Sequence, residues 1–266
     1  MSLPPVEIPL GAMRFNSDSQ KLEYWNGQIW MQIHTFNPSL NGGNGRGLVM
    51  QGIEPAKVNS VSYVDITATG TGVDFGDATT QRRGPAGAAS RTRALSAGGN
   101  GPEGSSTVQD NVDFFTFAST GNGTDWGDLD ADRSAMGGCA SATRGLFGGG
   151  AEPSVRNYIE YVTIAITSNI IDFGELTVAR RDFGGLSSST RGIFAGGHSS
   201  PTLKDEIDYV TIATLGDATD FGNLIAATSF ATAAASSIRG VIAGGHVAPA
   251  GSSTVNTISY VQIPTT

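Results

Sequence analysis

One landmark constrains this chain more than any other. "RGLVMQG" begins at Arg46, "RALSAGG" at Arg93, "RGLFGGG" at Arg144, "RGIFAGG" at Arg191 and "RGVIAGG" at Arg239. The spacing, about 48 residues, is that of a repeat architecture, in which one supersecondary unit recurs and neighbouring copies bury each other. A second landmark follows each Arg: "VSYVDI" (61–66), "VDFFTF" (112–117), "IEYVTI" (159–164), "IDYVTI" (207–212) and "ISYVQI" (258–263). A run of small residues precedes each Arg from the second copy onward: "GPAGAAS" (84–90), "GGCASAT" (137–143), "GGLSSST" (184–190) and "ATAAASS" (231–237).

One unit therefore reads as four short strands: a small-residue strand, an Arg-led apolar strand, a Tyr-Val-Thr-Ile strand, and a strand carrying Asp-Phe-Gly. A Gly-Gly turn follows the second strand, where glycine supplies positive φ at no steric cost. The third strand is apolar on both faces, with Ile207 and Tyr209 on one and Val210 and Ile212 on the other. Such a sheet must be covered on both sides. Radial stacking of four-stranded sheets satisfies this, so the expected fold is all-β, a five-bladed β-propeller. The small residues suit the innermost strands, where blades converge.

The fourth strand carries "VDFGDA" (73–78), "TDWGDL" (124–129), "IDFGEL" (171–176) and "TDFGNL" (219–224). Protein kinases hold a magnesium ion with one Asp-Phe-Gly, but no Gly-rich or His-Arg-Asp loop accompanies it here. A catalytic Asp is needed once per site, whereas four copies speak for architecture. The aromatic is expected to pack between blades, the Gly to allow a bulge, and the Asp to accept turn amides.

Composition narrows the remaining classes. Glycine numbers 37, and only 15% of the 266 residues are charged, which disfavours a helical bundle. The net charge of −8 repels phosphate backbones, so no nucleic-acid partner is expected. The lone Cys139 excludes an internal disulfide and a Cys-based zinc cluster. No apolar run is long enough for a membrane-spanning helix, and "MSLPPVEIPLGAMRF" lacks the features of a signal peptide. Folding in a cytoplasm and no membrane insertion are the expectations.

The order Gly-Gly, Tyr, then an aromatic on the last strand resembles the kelch motif, over about residues 40–266. Kelch units usually carry Trp on the fourth strand; only Trp126 agrees, and Phe75, Phe173 and Phe221 depart. The resemblance implies kelch-like blades. The fifth copy ends after its third strand, and the first lacks a clear small-residue strand. Asn26-Gly27, flanked by "LEYW" and "QIWMQI", predicts a β-hairpin over about 20–34. Two uses are open for this N-terminal segment, residues 1–38. One hairpin strand closes the fifth blade with Trp30 in place of the Asp-Phe-Gly aromatic, or the hairpin docks to a partner through Trp25 and Trp30. Residues 39–266 form the propeller.

"GAMRFNSDSQKLEYWNGQIWMQI" (11–33) also resembles a segment of virion structural and tail-fibre proteins of tailed bacteriophages. There a G-x-x-R-F-N lead precedes a LEY-x-NG-x-x-W hairpin. The Gly-rich units with "DYVTIAT" and "TDFG" are similar to virion structural proteins of marine cyanobacterial phages. The resemblance implies a virion component, oligomeric with other virion proteins, with its N-terminus towards the particle and its blades outward.

Chemistry-bearing residues are few. His198 and His246 each follow a Gly-Gly doublet in neighbouring units. Equivalent positions on adjacent blades lie on the order of 10 Å apart, too far for a shared metal; no metal and no cofactor are expected. His34 stands alone. Asp125, Asp128, Asp130 and Asp132 lack the Gly and distal Glu of a calcium loop. A glycosidase needs two facing carboxylates, and Asp182 is the nearest candidate beside the inner strands. Cys139 reads as a buried small hydrophobe. Arg144, Arg191 and Arg239 read as partners for an Asp or a carbonyl of the adjacent blade.

The variable loops 99–111, 150–157, 197–206 and 245–256 are the natural contact surface, with Asn100, Glu152, His198, Lys204 and His246 as binding candidates. The expected function is a non-enzymatic virion structural protein, with a host-surface glycan as a further partner. A cytoplasmic kelch-type interaction module and a propeller glycosidase are the competing classes.

Overall fold

The computed structural model describes residues 8–16, 21–32, 45–53, 55–102, 107–247 and 253–263. His34 and parts of the loops at 99–111 and 245–256 lie outside them. All regular structure among the described residues is β, in antiparallel sheets of two to four strands. The chain divides into two compact units, Met1–Leu40 and Asn41–Thr266.

The first unit holds a three-stranded antiparallel sheet of Met13–Asn16, Lys21–Trp25 and Trp30–Gln32, in chain order. Its turn is the expected one: Asn26 Oδ1 accepts the amides of Gln28 (3.0 Å) and Ile29 (2.8 Å), and Gly27 sits at φ 95°. The additional strand Met13–Asn16 contains the Arg14-Phe15-Asn16 lead. Trp30 pairs with Trp25, and the sheet is completed by Met13–Asn16.

The second unit contains one main sheet per repeat. We label the strands a to d in the order small-residue, Arg-led, Tyr-bearing and Asp-Phe-Gly. Repeats 2 to 4 have all four: Ala86–Ala89, Arg93–Ala97, Asn111–Thr116 and Thr124–Asp128; then Gly137–Ala140, Arg144–Gly148, Tyr158–Thr163 and Ile171–Glu175; then Gly184–Ser187, Arg191–Ala195, Glu206–Thr211 and Thr219–Asn223. Among the described residues repeat 1 has b to d (Arg46–Ile53, Lys57–Asp65, Val73–Asp77) and repeat 5 has a to c (Thr232–Ala235, Arg239–Ala243, Ile258–Gln262), each in a three-stranded sheet.

The cores lie between successive sheets. Leu146, Ile159, Tyr161 and Phe173 of repeat 3 pack against Phe194, Val210 and Ile212 of repeat 4. The equivalent clusters join repeats 1 to 2, 2 to 3 and 4 to 5. One face of repeat n thus always meets the opposite face of repeat n+1. The b-strand arginines cross these interfaces. Arg46, Arg93, Arg144 and Arg191 donate to the carbonyls of Phe117 (2.7 Å), Ile164 (3.1 Å), Ile212 (2.9 Å) and Ile263 (3.0 Å), each at the end of the next repeat's strand c. This is the carbonyl pairing expected for Arg144 and Arg191. Each guanidinium also lies 4.6–4.8 Å over the ring of its own strand c: Tyr63, Phe114, Tyr161 or Tyr209.

The a strands approach more closely than side-chain packing allows. A Cβ on Gly138 would collide with the Gly87 carbonyl, and one on Gly185 with that of Gly138. Just ahead of each a strand, the amide of Ala135 donates to Gly84 O (3.2 Å), Asp182 to Ala135 O (2.8 Å) and Phe230 to Asp182 O (2.7 Å). Backbones bonded this way stand about 5 Å apart, whereas sheets separated by side chains stand about 10 Å apart. Successive sheets therefore converge on strand a.

The Asp-Phe-Gly element resolves into packing and turn roles. Its aromatic meets the strand-c ring edge-on: Phe75 with Tyr63 (6.1 Å), Trp126 with Phe114 (5.9 Å), Phe173 with Tyr161 (6.0 Å) and Phe221 with Tyr209 (5.9 Å). Its Gly sits at a register shift with positive φ. At Gly76 (φ 144°) a Cβ would come within 2.5 Å of the Gly121 backbone in the next repeat. Asp125 and Asp220 accept the amides of Gly127 (3.1 Å) and Gly222 (2.9 Å).

Three buried ion pairs went unread in the sequence. Arg82 meets Asp113 (2.6 Å), Arg180 meets Asp208 (3.0 Å), and Arg133 meets Glu160. Burial pulls all three arginines below their usual range, opposed by the carboxylate beside each. Asp113 and Asp208 also accept the amide and hydroxyl of Thr79 and Thr177, tying the incoming linker to the sheet.

Candidate functional site

The connections from strand b to strand c leave every sheet at the same end, and in repeats 2 to 5 a Gly-Gly turn starts them. Gly98 and Gly99 (φ 61° and 107°), Gly149 and Gly150 (62° and 90°), Gly196 and Gly197 (74° and 107°), and Gly244 and Gly245 (69° and 99°) all adopt the positive φ expected of them. The second glycine's amide then bonds the chain entering the next a strand: Gly99 to Arg133 O (2.8 Å), Gly150 to Arg180 O (3.0 Å), Gly197 to Thr228 O (2.8 Å). This edge joins the repeats into one continuous surface.

Along that edge runs a column of left-handed residues: Gly84 (φ 63°), Ala135 (59°), Asp182 (56°) and Phe230 (56°). Non-glycine residues held there carry local strain, and the backbone bonds from repeat to repeat hold them. Their side chains vary, and two of them meet the candidate histidines. The Phe230 ring, 59% exposed, lies 6.0 Å from His198 and 5.6 Å from His246. His198 Nδ1 stands 3.3 Å from Asp182 Oδ2, while Arg181 Nε donates to His198 Nε2 at 3.3 Å. That arrangement suits a neutral imidazole with its proton on Nδ1. Burial lowers the His198 pKa, opposed by the Asp182 carboxylate and assisted by the Arg181 guanidinium; burial raises that of Asp182, opposed by His198 and Arg181.

The structure thus brings His198 and His246 to one aromatic ring. Among the described residues no group of three or more His, Cys, Asp or Glu is arranged for a metal. Asn100 is fixed on the same edge by paired backbone bonds with Arg83 (2.8 and 3.1 Å). Lys204 lies 3.9 Å from Glu206, and Glu152 tops the equivalent loop of repeat 3, its amide bonded to Ser154 O (3.2 Å). Phe230 and Arg181 were missed by sequence reasoning. The signal available was positional, since both lie just ahead of a small-residue strand, Phe230 in a column whose identity changes from repeat to repeat and Arg181 next to it.

A separate cleft of about 590 Å³ is lined by Asp130, Tyr158, Glu160, Asp172, Glu175 and Asp217. Three of its five carboxylates are already engaged. Glu160 holds Arg133, Glu175 accepts Asn157 Nδ2 (2.8 Å), and Asp217 accepts the Glu175 amide (3.1 Å). Asp182, the residue nearest to a glycosidase acid, is absent from this cleft and faces His198 and Arg181. Cys139 is buried on strand a of repeat 3, and burial pushes its thiol up to about 12, leaving an inert hydrophobe.

In the N-terminal sheet Arg14 and Asn16 have internal uses. Arg14 stacks 4.2 Å over Trp30 and donates to Glu23 (2.9 Å), which also accepts from Asn16 (3.0 Å). Trp25 and Trp30, named as docking residues, contact each other at 5.5 Å on this polar-backed face. The strand register puts Met13, Phe15, Leu22, Tyr24 and Met31 together on the opposite face, and all five are exposed. That face is the apolar surface of the unit. Compared with known proteins, the chain matches no protein-family model and no curated protein sequence.

Proposed function

We propose that this chain is a non-enzymatic structural protein of a tailed-bacteriophage particle, built from kelch-like propeller blades. The blade reading draws on the convergence of the sheets at strand a, since sheets joined by backbone bonds at one edge and by side chains elsewhere fan about that edge. The observation that carries the structural role is the employment of the recurring side chains. The b-strand arginines, the strand-c rings, the Asp-Phe-Gly residues and the Gly-Gly doublets all serve packing or turns. What varies is confined to the edge bearing Phe230, His198 and His246, which supports a recognition surface on a rigid scaffold. The likeness of residues 11–33 to virion segments, with their bare apolar sheet face, supports attachment to the particle through Met13, Phe15 and Tyr24.

A host-surface glycan fits the variable edge, where an exposed aromatic ring is flanked by His, Asp and Arg hydrogen-bonding groups. Mass spectrometry of purified virions tests the particle assignment; absence of the chain from intact particles rejects it. Phe15→Glu with Tyr24→Glu is expected to abolish incorporation while the repeats stay folded. Phe230→Ala is expected to reduce binding of the isolated protein to intact host cells. No binding by the unsubstituted protein counts against adhesion and leaves the particle role standing.

A further inference from the structure

The inter-repeat interface is used four times inside the chain, and each end of the array carries an unused half of it. In repeats 1 to 4 the forward face of strand c is covered by the next repeat: Val61, Val112 and Ile159 are fully buried and Ile207 nearly so. The equivalent residue in repeat 5, Ile258, is 70% exposed, and its neighbour Tyr260 is 64% exposed. On the rear face, Phe117, Ile164, Ile212 and Ile263 are buried against the preceding repeat, whereas Ile66 of repeat 1 is 68% exposed. Val49, which occupies the place of the fully buried Phe147 and Phe194, is 63% exposed.

The forward face of repeat 5 is already set for a partner. Arg239 lies 4.9 Å over Tyr260, the geometry that the four internal arginines hold while reaching the next repeat's carbonyl. Its guanidinium makes no hydrogen bond to any described residue. The carbonyl equivalent to those four acceptors, at Ile66, belongs to the bare rear face of repeat 1.

We infer that the forward face of repeat 5 binds the rear face of repeat 1 of a second copy of this chain, head to tail, reproducing the internal interface. The occupant is chosen because this chemistry continues an interface the chain forms four times, and because both faces are open within one chain. Such a contact is heterologous, so it propagates or closes only by symmetry. The inference goes beyond the particle role and stands on the inter-repeat packing alone.

Sedimentation velocity of the full chain over a wide concentration range tests it. The unsubstituted chain is expected to associate beyond a monomer. Ile258→Glu and Ile66→Glu each block one face at an exposed position, so each is expected to fold normally by thermal melt and to associate at least tenfold more weakly. An equimolar mixture of the two has one intact face on each partner and is expected to form a heterodimer that goes no further. A chain monomeric at every concentration overturns the proposal, as does a mixture that stays monomeric or a variant that associates like the unsubstituted chain. A Val49→Cys, Ile258→Cys double variant separates the remaining case: a disulfide between chains supports the proposal, and one within a single chain overturns it in favour of self-closure. Each of these results leaves the virion test untouched.

Discussion

Repeats 3 and 5 carry nearly the same b and c strands, "RGLFGGG" with "IEYVTI" against "RGVIAGG" with "ISYVQI", yet they live in different environments. Ile159 is fully buried and Ile258 is 70% exposed. Local sequence therefore sets the strand, and the neighbouring repeat sets the burial. A further difference follows. Repeats 2 to 4 each bury an Arg–carboxylate pair beneath strand c, whereas repeats 1 and 5 carry Ser62 and Ser259 at the carboxylate position, and repeat 5 has Thr228 at the Arg position. The charged pair occurs only where a complete four-stranded sheet lies between two neighbours and excludes water.

The largest effect is expected from that pair. Asp208→Ala leaves Arg180 uncompensated in a dry site and also removes the acceptor for Thr177. Chemical denaturation should register a loss of about 3–5 kcal/mol, against about 0.5 kcal/mol or less for Ser259→Ala. Comparable losses at the two sites would mean that the interior repeat is no drier than the end. Next comes the core position. Ile159→Ala is expected to cost about 2–5 kcal/mol through the cavity it opens. Ile258→Ala, in chains kept dilute enough to be monomeric, is expected to cost about 0.5 kcal/mol or less.

The inner strands offer a third contrast. Gly138→Ala drives a methyl into the Gly87 carbonyl, an overpacking cost of about 1–3 kcal/mol. Gly87→Ala meets only the Met50 methyl at 3.5 Å, since no a strand of repeat 1 lies among the described residues. It should be neutral or stabilise by about 0.4–1 kcal/mol, through restriction of the unfolded chain. Equal penalties would show that the a strands are not in backbone contact.

The smallest effect concerns pH. The fold holds His198 neutral below its ordinary value of 6.5, so the unfolded chain takes up the proton first as pH falls. The stability that His198 contributes is present above 6.5 and is lost as pH drops from 6.5 towards its folded value. Asp182 has the opposite sign, because its raised carboxyl favours the fold at low pH and loses that contribution above 3.8. The melting temperature of the unsubstituted protein relative to His198→Gln should narrow between pH 7 and pH 5. A constant difference would remove the ring from any pH-dependent role.

Much of the unit was legible in the sequence. The Arg-led strand, the Gly-Gly turn, the two-faced Tyr strand and the bulged Asp-Phe-Gly strand each leave a periodic trace, because each answers a demand that recurs in every repeat. The Asn26-Gly27 hairpin was legible for the same reason, as a local turn with its own residue code. The ion pairs were not. Arg82, Arg133 and Arg180 lie in linkers that look like surface loops, and only the folded register brings them under Asp113, Glu160 and Asp208. The exposed apolar face was not legible either, since the strand Met13–Asn16 that turns Met13 and Phe15 outward has no strong pattern of its own. Phe230 was invisible because its column varies from repeat to repeat.

The central claim is that each sheet is buried by its neighbours and that the array ends in two bare faces. Backbone hydrogen exchange on dilute, monomeric protein tests it most directly. Amides of the central c strand Tyr158–Thr163 should be protected to the limit set by global unfolding, and those of Ile258–Gln262 should exchange faster by orders of magnitude. Equal protection of the two strands would contradict the account, since it would mean that the last repeat is covered as fully as the third.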